Sequence, residues 1–293
     1  MNKRILGCMA AVFLTFGATT AQNVQFGLRA GLNLPNITGG GNNTPVSEGY
    51  ASRLAAGAGV FSEVRLSDRW SARFGVEYSG QGGKKDGLQA MPTSRLINEL
   101  TGSMAGIGSS PDLSILQPLL EMAKNMPYFY ANINNTVKFD YVMIPLLAQY
   151  NIGLGESPWS VYVNAGPFVS FLVSGKQVSE GNTRLYADAS GRTPLWDTLP
   201  LEAQTAIGTA LPEVQQALEA ERSLGTTNIT GEMKSTNFGV TGNVGIRYQC
   251  GRSCFLLEGG GNYGLITVQQ DDTNGSNRLG AASVMLGYAF SFF

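Results

Sequence analysis

The chain has 293 residues, of which 43% are apolar, 10% aromatic and 14% charged, with 38 glycines and no histidine. The formal net charge is −1, and about −3 once residues 1–21 are set aside (18 lysines and arginines against 21 acids), which argues against nucleic-acid binding through a basic face. The missing histidine removes the base on which barrel-type phospholipases, proteases and acyltransferases rely, so no catalytic residue is assigned and no enzyme activity is expected.

Residues 1–21 carry the three parts of an export signal. Lys3 and Arg4 form a basic start, Ile5–Gly17 an apolar run, and Ala18–Ala21 a small-residue cleavage site. The run is too short for the ~20 helical residues that span a bilayer, and Cys8 lies inside it, to be removed with it. Residues 22–293 keep 18 of the 20 lysines and arginines against all 21 acids. Two cysteines then remain and supply no zinc constellation, so neither metal nor cofactor is expected.

Eight segments follow in which apolar and polar residues alternate with period two, the signature of strands with two unlike faces. Val24–Leu34 sets Phe26, Leu28, Leu32 and Leu34 against Gln25, Arg29 and Asn33. Ala51–Leu66 sets Leu54, Val60 and Val64 against Arg53, Glu63 and Arg65, and Trp70–Gly80 sets Trp70, Phe74, Val76 and Tyr78 against Arg73 and Glu77. Val137–Ile152 is less clean but carries the row Val142, Ile144, Leu146, Ala148 and Tyr150. Pro158–Ser174 alternates Trp159, Val161 and Val163 with Ser160, Tyr162 and Asn164. Phe238–Tyr248 is the cleanest, with Phe238, Val240, Val244, Ile246 and Tyr248 against Gly239, Thr241, Asn243 and Arg247. Ser253–Val268 and Leu279–Phe293 complete the set, the former placing Phe255 and Leu257 opposite Glu258.

The connections alternate too. Ser67–Arg69, Gly153–Ser157 and Cys250–Cys254 are turn-like, whereas Pro35–Tyr50, Gln81–Thr136, Lys176–Lys234 and Gln269–Arg278 are long. A soluble sandwich has no reason to gather its long connections at one end. The pattern predicts an all-β fold: an eight-stranded antiparallel up-and-down transmembrane β-barrel in the outer membrane, spanning residues 22–293. The two long, partly helical extracellular inserts are 81–136 and 176–234.

A charge facing hydrocarbon near the midplane costs about 2–4 kcal/mol, so the charged face is the lumen. Arg29, Arg53, Glu63, Arg65, Arg73, Glu77, Arg247 and Glu258 are therefore expected to meet there, pair, and fill a barrel too narrow for a channel. Trp70, Trp159, Tyr78, Tyr150, Tyr248 and Tyr288 are placed in aromatic girdles that meet the outer-membrane lipid.

In the first insert Ser110-Pro111-Asp112 opens a helix through Leu113, Leu116 and Leu120, interrupted at Pro118. In the second, Thr198–Thr209 is one helix, and Leu211-Pro212-Glu213 opens another that stops at Gly225. Their apolar stripes need cover, which predicts a cap over the barrel mouth or a surface for a protein or glycan partner. Met91, Met104, Met122 and Met126 suit either role. Cys250 and Cys254 are a candidate disulfide across an exported turn; strand parity sums to an even number for this pair, so the bridge requires a bulge.

Several strands resemble a known family. Phe26-Gly27-Leu28-Arg29-Ala30-Gly31-Leu32-Asn33-Leu34 looks like the first strand of the PorT-like outer-membrane β-barrel domain of Bacteroidetes. Tyr141–Tyr150 is similar to its Tyr-Leu-Glu-Ile-Pro-Leu-Leu strand, with Met143 in place of the glutamate. Ala165-Gly166-Pro167-Phe168, Leu257-Glu258 with Tyr263-Gly264-Leu265, and Leu286–Phe290 extend the match over most strands and neither insert. The chain runs three residues past the family's usual terminal aromatic, ending at Phe293. The resemblance implies a barrel with no settled biochemical activity. One namesake member takes part in protein secretion across the outer membrane, which makes an accessory of a secretion system one alternative to a non-enzymatic barrel with a cap or recognition surface. A small-solute channel is the other alternative.

Overall fold

The computed structural model describes residues 24–39, 45–46, 48–104, 117–271 and 276–291. Ten antiparallel strands form one sheet: β1 Val24–Gly39, β2 Ala55–Arg65, β3 Trp70–Pro92, β4 Tyr128–Gly153, β5 Trp159–Thr183, β6 Leu185–Tyr186, β7 Arg222–Asn228, β8 Thr236–Cys250, β9 Ser253–Gly264 and β10 Asn277–Ser291. Eight of them close a ring, because β1 pairs with β10 and β4 pairs with β5. The two short strands, β6 on β4 and β7 on β5, lie outside the ring. The expected eight strands are therefore joined by two that lacked any alternating signal.

Burial follows the expected parity. In β8 the odd-numbered Asn237, Thr241, Asn243 and Arg247 are buried, while Phe238, Val240, Val244 and Ile246 are exposed. The ring is thus polar inside and apolar outside, the inverse of a water-soluble barrel. No helix of the described residues is long and apolar enough to cross a membrane.

Three strands run much further than expected. β3 continues 12 residues past Gly80 to Pro92, β4 begins at Tyr128 rather than Val137, and β5 continues to Thr183. The 81–136 and 176–234 inserts therefore begin and end in part as a rising three-stranded wall, and their helices are short. These are α1 Thr93–Met104, α2 Gln117–Asn125, α3 Leu201–Ala210 and α4 Pro212–Glu219. Pro118 sits in the first turn of α2, where its missing N–H is no loss, so it starts a helix instead of interrupting one. The expected start at Ser110–Asp112 lies outside the described residues, as do the export signal, Phe292 and Phe293. α4 ends at Glu219, short of Gly225, which adopts φ 61° within β7.

The wall and helices share one hydrophobic core. Leu96 and Leu119 of the first insert join Trp196, Ile207 and Leu218 of the second around Phe129, Ala131 and Ile133 of β4. Below it, at the mouth of the ring, lies a separate apolar layer that includes Ile37, Val137, Phe139, Tyr141, Met233 and Leu279.

Candidate functional site

Six of the eight charges assigned to the lumen form one network. Arg73 and Glu63 are opposed in the β2–β3 ladder, and Arg73 Nη2 donates to Glu63 Oε2 at 3.2 Å. Arg247 Nη2 donates to the same oxygen at 2.6 Å. Glu258 accepts from Arg29 Nη1 at 2.7 Å and from Arg73 Nη1, and Arg29 Nη2 reaches Glu77. Tyr162 donates its hydroxyl to Glu258 Oε1 at 2.8 Å, and Gln149 Nε2 donates to Glu63 Oε1 at 2.9 Å. Three guanidinium groups face three carboxylates, and none of the six residues is more than 6% exposed. Every carboxylate is held by at least one arginine, so each charge taken out of water is compensated, as burial requires.

Aromatic rings complete the layer. Arg73 lies 4.6 Å from the Phe61 ring centroid and 5.1 Å from that of Tyr162, and Arg247 lies 5.4 Å from Tyr162. The rings fit because glycine stands opposite them. A Cβ on Gly245 would sit 2.2 Å from the Tyr162 ring, and one on Gly27 would sit 2.3 Å from Phe61. Phe61, Tyr162 and Gln149 are functional neighbours that charge alone did not reveal. The inward parity of Phe61 and Tyr162 was the signal that could have found them.

Arg53 and Arg65 do not join. Arg53 precedes β2 and donates to the Gln81 carbonyl at 2.7 Å, and Arg65 is exposed at the opposite mouth, two residues nearer the turn than Glu63. Parity gave the direction of Arg65 but not its height along the barrel axis, whereas Arg53 lies ahead of the regular strand, with Asp140 and the outward-facing Tyr78 as its electrostatic neighbours. The expected cluster of eight is a network of six.

Above the network the lumen fills with amides and hydroxyls. Gln81 Nε2 donates to Ser79 Oγ at 2.8 Å and to Asn262 Oδ1 at 3.3 Å, and Asn243 Nδ2 donates to Asn164 Oδ1 at 2.9 Å. The space left among Gln81, Tyr141, Phe168 and Asn237 is about 10 Å³, room for one water. The apolar layer closes the ring above that. A chamber of about 50 Å³ separates it from the insert core, walled by Tyr50, Lys85, Gln89, Arg95, Asn135 and Glu232. Arg95 bridges Gln177 Oε1 at 2.7 Å and Glu232 Oε2 at 2.6 Å there, and burial lowers the Lys85 ammonium below its ordinary value.

The short-turn end is different. A cup of about 1090 Å³ opens there, with the Glu63–Arg247 pair in its wall and Arg65, Arg69 and Arg252 towards its rim. Around it the outward rows carry aromatic pairs: Trp70–Tyr150 at 5.0 Å between centroids, Trp159–Tyr248 at 4.8 Å and Phe255–Tyr288 at 5.5 Å. A second, looser ring of exposed aromatics, Tyr78, Phe171, Phe238 and Tyr263, marks the upper limit of the apolar rows. Tyr78 thus belongs to a different girdle from the other five. Ten residues of β8 separate Tyr248 from Phe238, roughly 25 Å of height for a strand tilted as in membrane barrels. The outward rows between the girdles hold no charge.

Cys250 pairs with Ser253 and Gln249 with Cys254 across a regular two-residue turn in which Gly251 has φ 58°. No bulge corrects the parity, so Cys250 is exposed on the outer face while Cys254 is fully buried in the lumen. The expected disulfide is absent, and both thiols are free.

A family model described as outer membrane protein beta-barrel domain matches residues 20–270. No curated protein matches the chain in sequence. Among solved structures, Neisserial surface protein A is similar over 91% of this chain and 97% of its own, at 12% identity and a TM-score of 0.35. The attachment invasion locus protein Ail of Yersinia pestis is similar over 92% and 99%, at 8% identity and 0.33. A major outer membrane protein from Thermus thermophilus is similar over 92% and 99%, at 12% identity and 0.38.

Proposed function

The chain belongs to the outer membrane protein beta-barrel domain family and resides in the outer membrane, and from that premise we propose a non-enzymatic barrel whose filled lumen carries a recognition dome. The dome is the insert core with its rising β3–β4–β5 wall, standing beyond the upper girdle at the long-loop end, which we take as extracellular. Its role is to cap the ring and offer a surface to a protein or glycan partner.

The observation that carries this reading is the stacking of two unlike seals. The six-charge network closes the lower lumen, and the layer of Ile37, Phe139, Tyr141 and Leu279 closes the upper one. A solute would have to break both. The PorT-like resemblance of the strands bears on the shared barrel but not on the dome, so it does not assign a secretion role.

Two measurements on one preparation test the proposal. Planar bilayers containing the purified protein should stay silent. In cells, single cysteines placed at Glu219 of α4 and at Glu156 of the β4–β5 turn, in a Cys250→Ser, Cys254→Ala background, should differ in reaction with a membrane-impermeant maleimide. Labelling at 219 and protection at 156 is the expected result. Stepwise conductance, or labelling at 156 alone, overturns it.

A further inference from the structure

Charge is not distributed evenly between the two mouths. All six lysines beyond the export signal, Lys84, Lys85, Lys124, Lys138, Lys176 and Lys234, lie at the long-loop end. Among the described residues the cations of the short-turn rim are arginines: Arg65, Arg69 and Arg252, all exposed and all lining the same cup. Among the described residues none of the three meets a carboxylate; Arg69 Nη1 donates to the neutral Tyr150 hydroxyl at 3.2 Å. Among the described residues the carboxylates lining the cup are Asp68 and Glu63, and Glu63 is already taken by Arg73, Arg247 and Gln149. A surplus of positive charge therefore faces a concave surface with low-dielectric walls, which concentrates its field.

We infer that this cup is a binding site for a phosphate-bearing anion, held by Arg65, Arg69 and Arg252. The guanidinium fork matches phosphate oxygens bidentately, where a lysine would offer only a point charge. Gln25 Oε1 lines the same cup, buried and without a partner, and gives an acceptor for a hydroxyl or ammonium carried beside the phosphate. The ion-pair network shuts the way into the lumen, so the anion enters and leaves from the short-turn side. Two sources share this chemistry: a phospholipid headgroup and a soluble phosphate compound. The hydroxyl that holds Arg69 belongs to the lower aromatic girdle, and aromatic girdles sit at headgroup depth, so Arg69 is within reach of either.

The test uses the full chain with Arg65→Gln, Arg69→Gln and Arg252→Gln, singly and together, and Lys84→Gln from the other mouth as the control. Each altered side chain is exposed, and folding is checked by the heat-dependent mobility shift of the barrel on gels. Inorganic pyrophosphate is titrated calorimetrically in micelles, and retention of phosphatidylglycerol over phosphatidylcholine from mixed nanodiscs is read by native mass spectrometry. At least one probe should bind the unaltered protein at one per barrel, weaken about tenfold or more for each arginine lost, and be indifferent to Lys84→Gln. Sensitivity of pyrophosphate alone assigns a soluble ligand, of the lipid alone a headgroup, and of both a site open to either. Absence of binding by both probes, or binding that persists in the triple variant, overturns the inference.

Discussion

The lower and upper halves of β4 point their side chains the same way but present unlike outer faces. Odd-numbered residues face inward along the whole strand, from Phe129 to Gln149. In the upper half that inward row is Phe129, Ala131, Ile133, Asn135, Val137 and Phe139, apolar but for Asn135, and the outward row contains Asn132, Asn134, Thr136 and Lys138. In the lower half the outward row is apolar, Val142 to Ala148; the inward row stays largely apolar through Tyr141, Met143 and Leu147 and meets the polar lumen at Gln149. The inversion falls between Phe139 and Val142. At the same height β5 inserts an extra residue, Val173, because Asp140 pairs with Ser174 but Tyr141 with Leu172. One continuous sheet is therefore built for two solvents, with hydrocarbon outside below and water outside above.

The largest effect expected from breaking this contrast lies in the lower half. Glu258→Gln removes the charge shared by Arg29 and Arg73 and should cost about 3–5 kcal/mol, read as a lower urea midpoint for the whole barrel. In the upper half, Ile207→Ala empties a fully buried site of the insert core and should cost about 2–5 kcal/mol. That loss should stay local: limited proteolysis of the dome accelerates while the barrel's unfolding midpoint holds. A barrel that melts with its dome would show that the halves are one cooperative unit.

Outward positions sharpen the comparison. Val244→Arg, mid-belt on β8, should cost about 2–4 kcal/mol. Asn134→Arg, outward on the upper half of β4, should stay within about 0.5 kcal/mol, since it faces water. Equal costs would erase the proposed boundary.

Two smaller effects follow. The Asp188 carboxylate accepts the Ser190 hydroxyl, the Thr193 N–H at 2.7 Å and the Ser190 N–H at 2.8 Å, and these donors, the hydroxyl foremost, hold its pKa below the ordinary range. A depressed folded pKa means the loop's support is complete above about pH 4 and fades as the pH falls below it. Amide protection at Thr193 should drop with acid, and Asp188→Asn should abolish that pH dependence. Finally, Cys250 should accept a maleimide in the folded protein while Cys254 reacts only after unfolding, with no change in the unfolding midpoint.

The same contrast explains what could be read in advance. The belt strands were legible because lipid on one side and a polar lumen on the other write two unlike lists. Gln81–Pro92 was not, since Gly82, Gly83, Lys84, Lys85, Asp86 and Gly87 offer no apolar row. Tyr128–Phe139 does alternate, yet its apolar parity is the reverse of Val142–Tyr150, and a single register imposed on the whole strand hides it. Within the regular strands the charged residues were legible by face but not by height, which is why Arg65 fell outside the network; Arg53 precedes β2, where strand parity no longer applies. The disulfide expectation failed on parity, the rule that had already flagged it.

The inversion on β4 also acts as a ruler. Removing two residues at Asp140–Tyr141 would keep every side chain on its own face while drawing Lys138 about 7 Å down the strand towards acyl chains. Removing one would exchange the faces altogether. The depth at which this protein floats is written into a single peptide step, and the barrel can neither sink nor rise without exposing the wrong row.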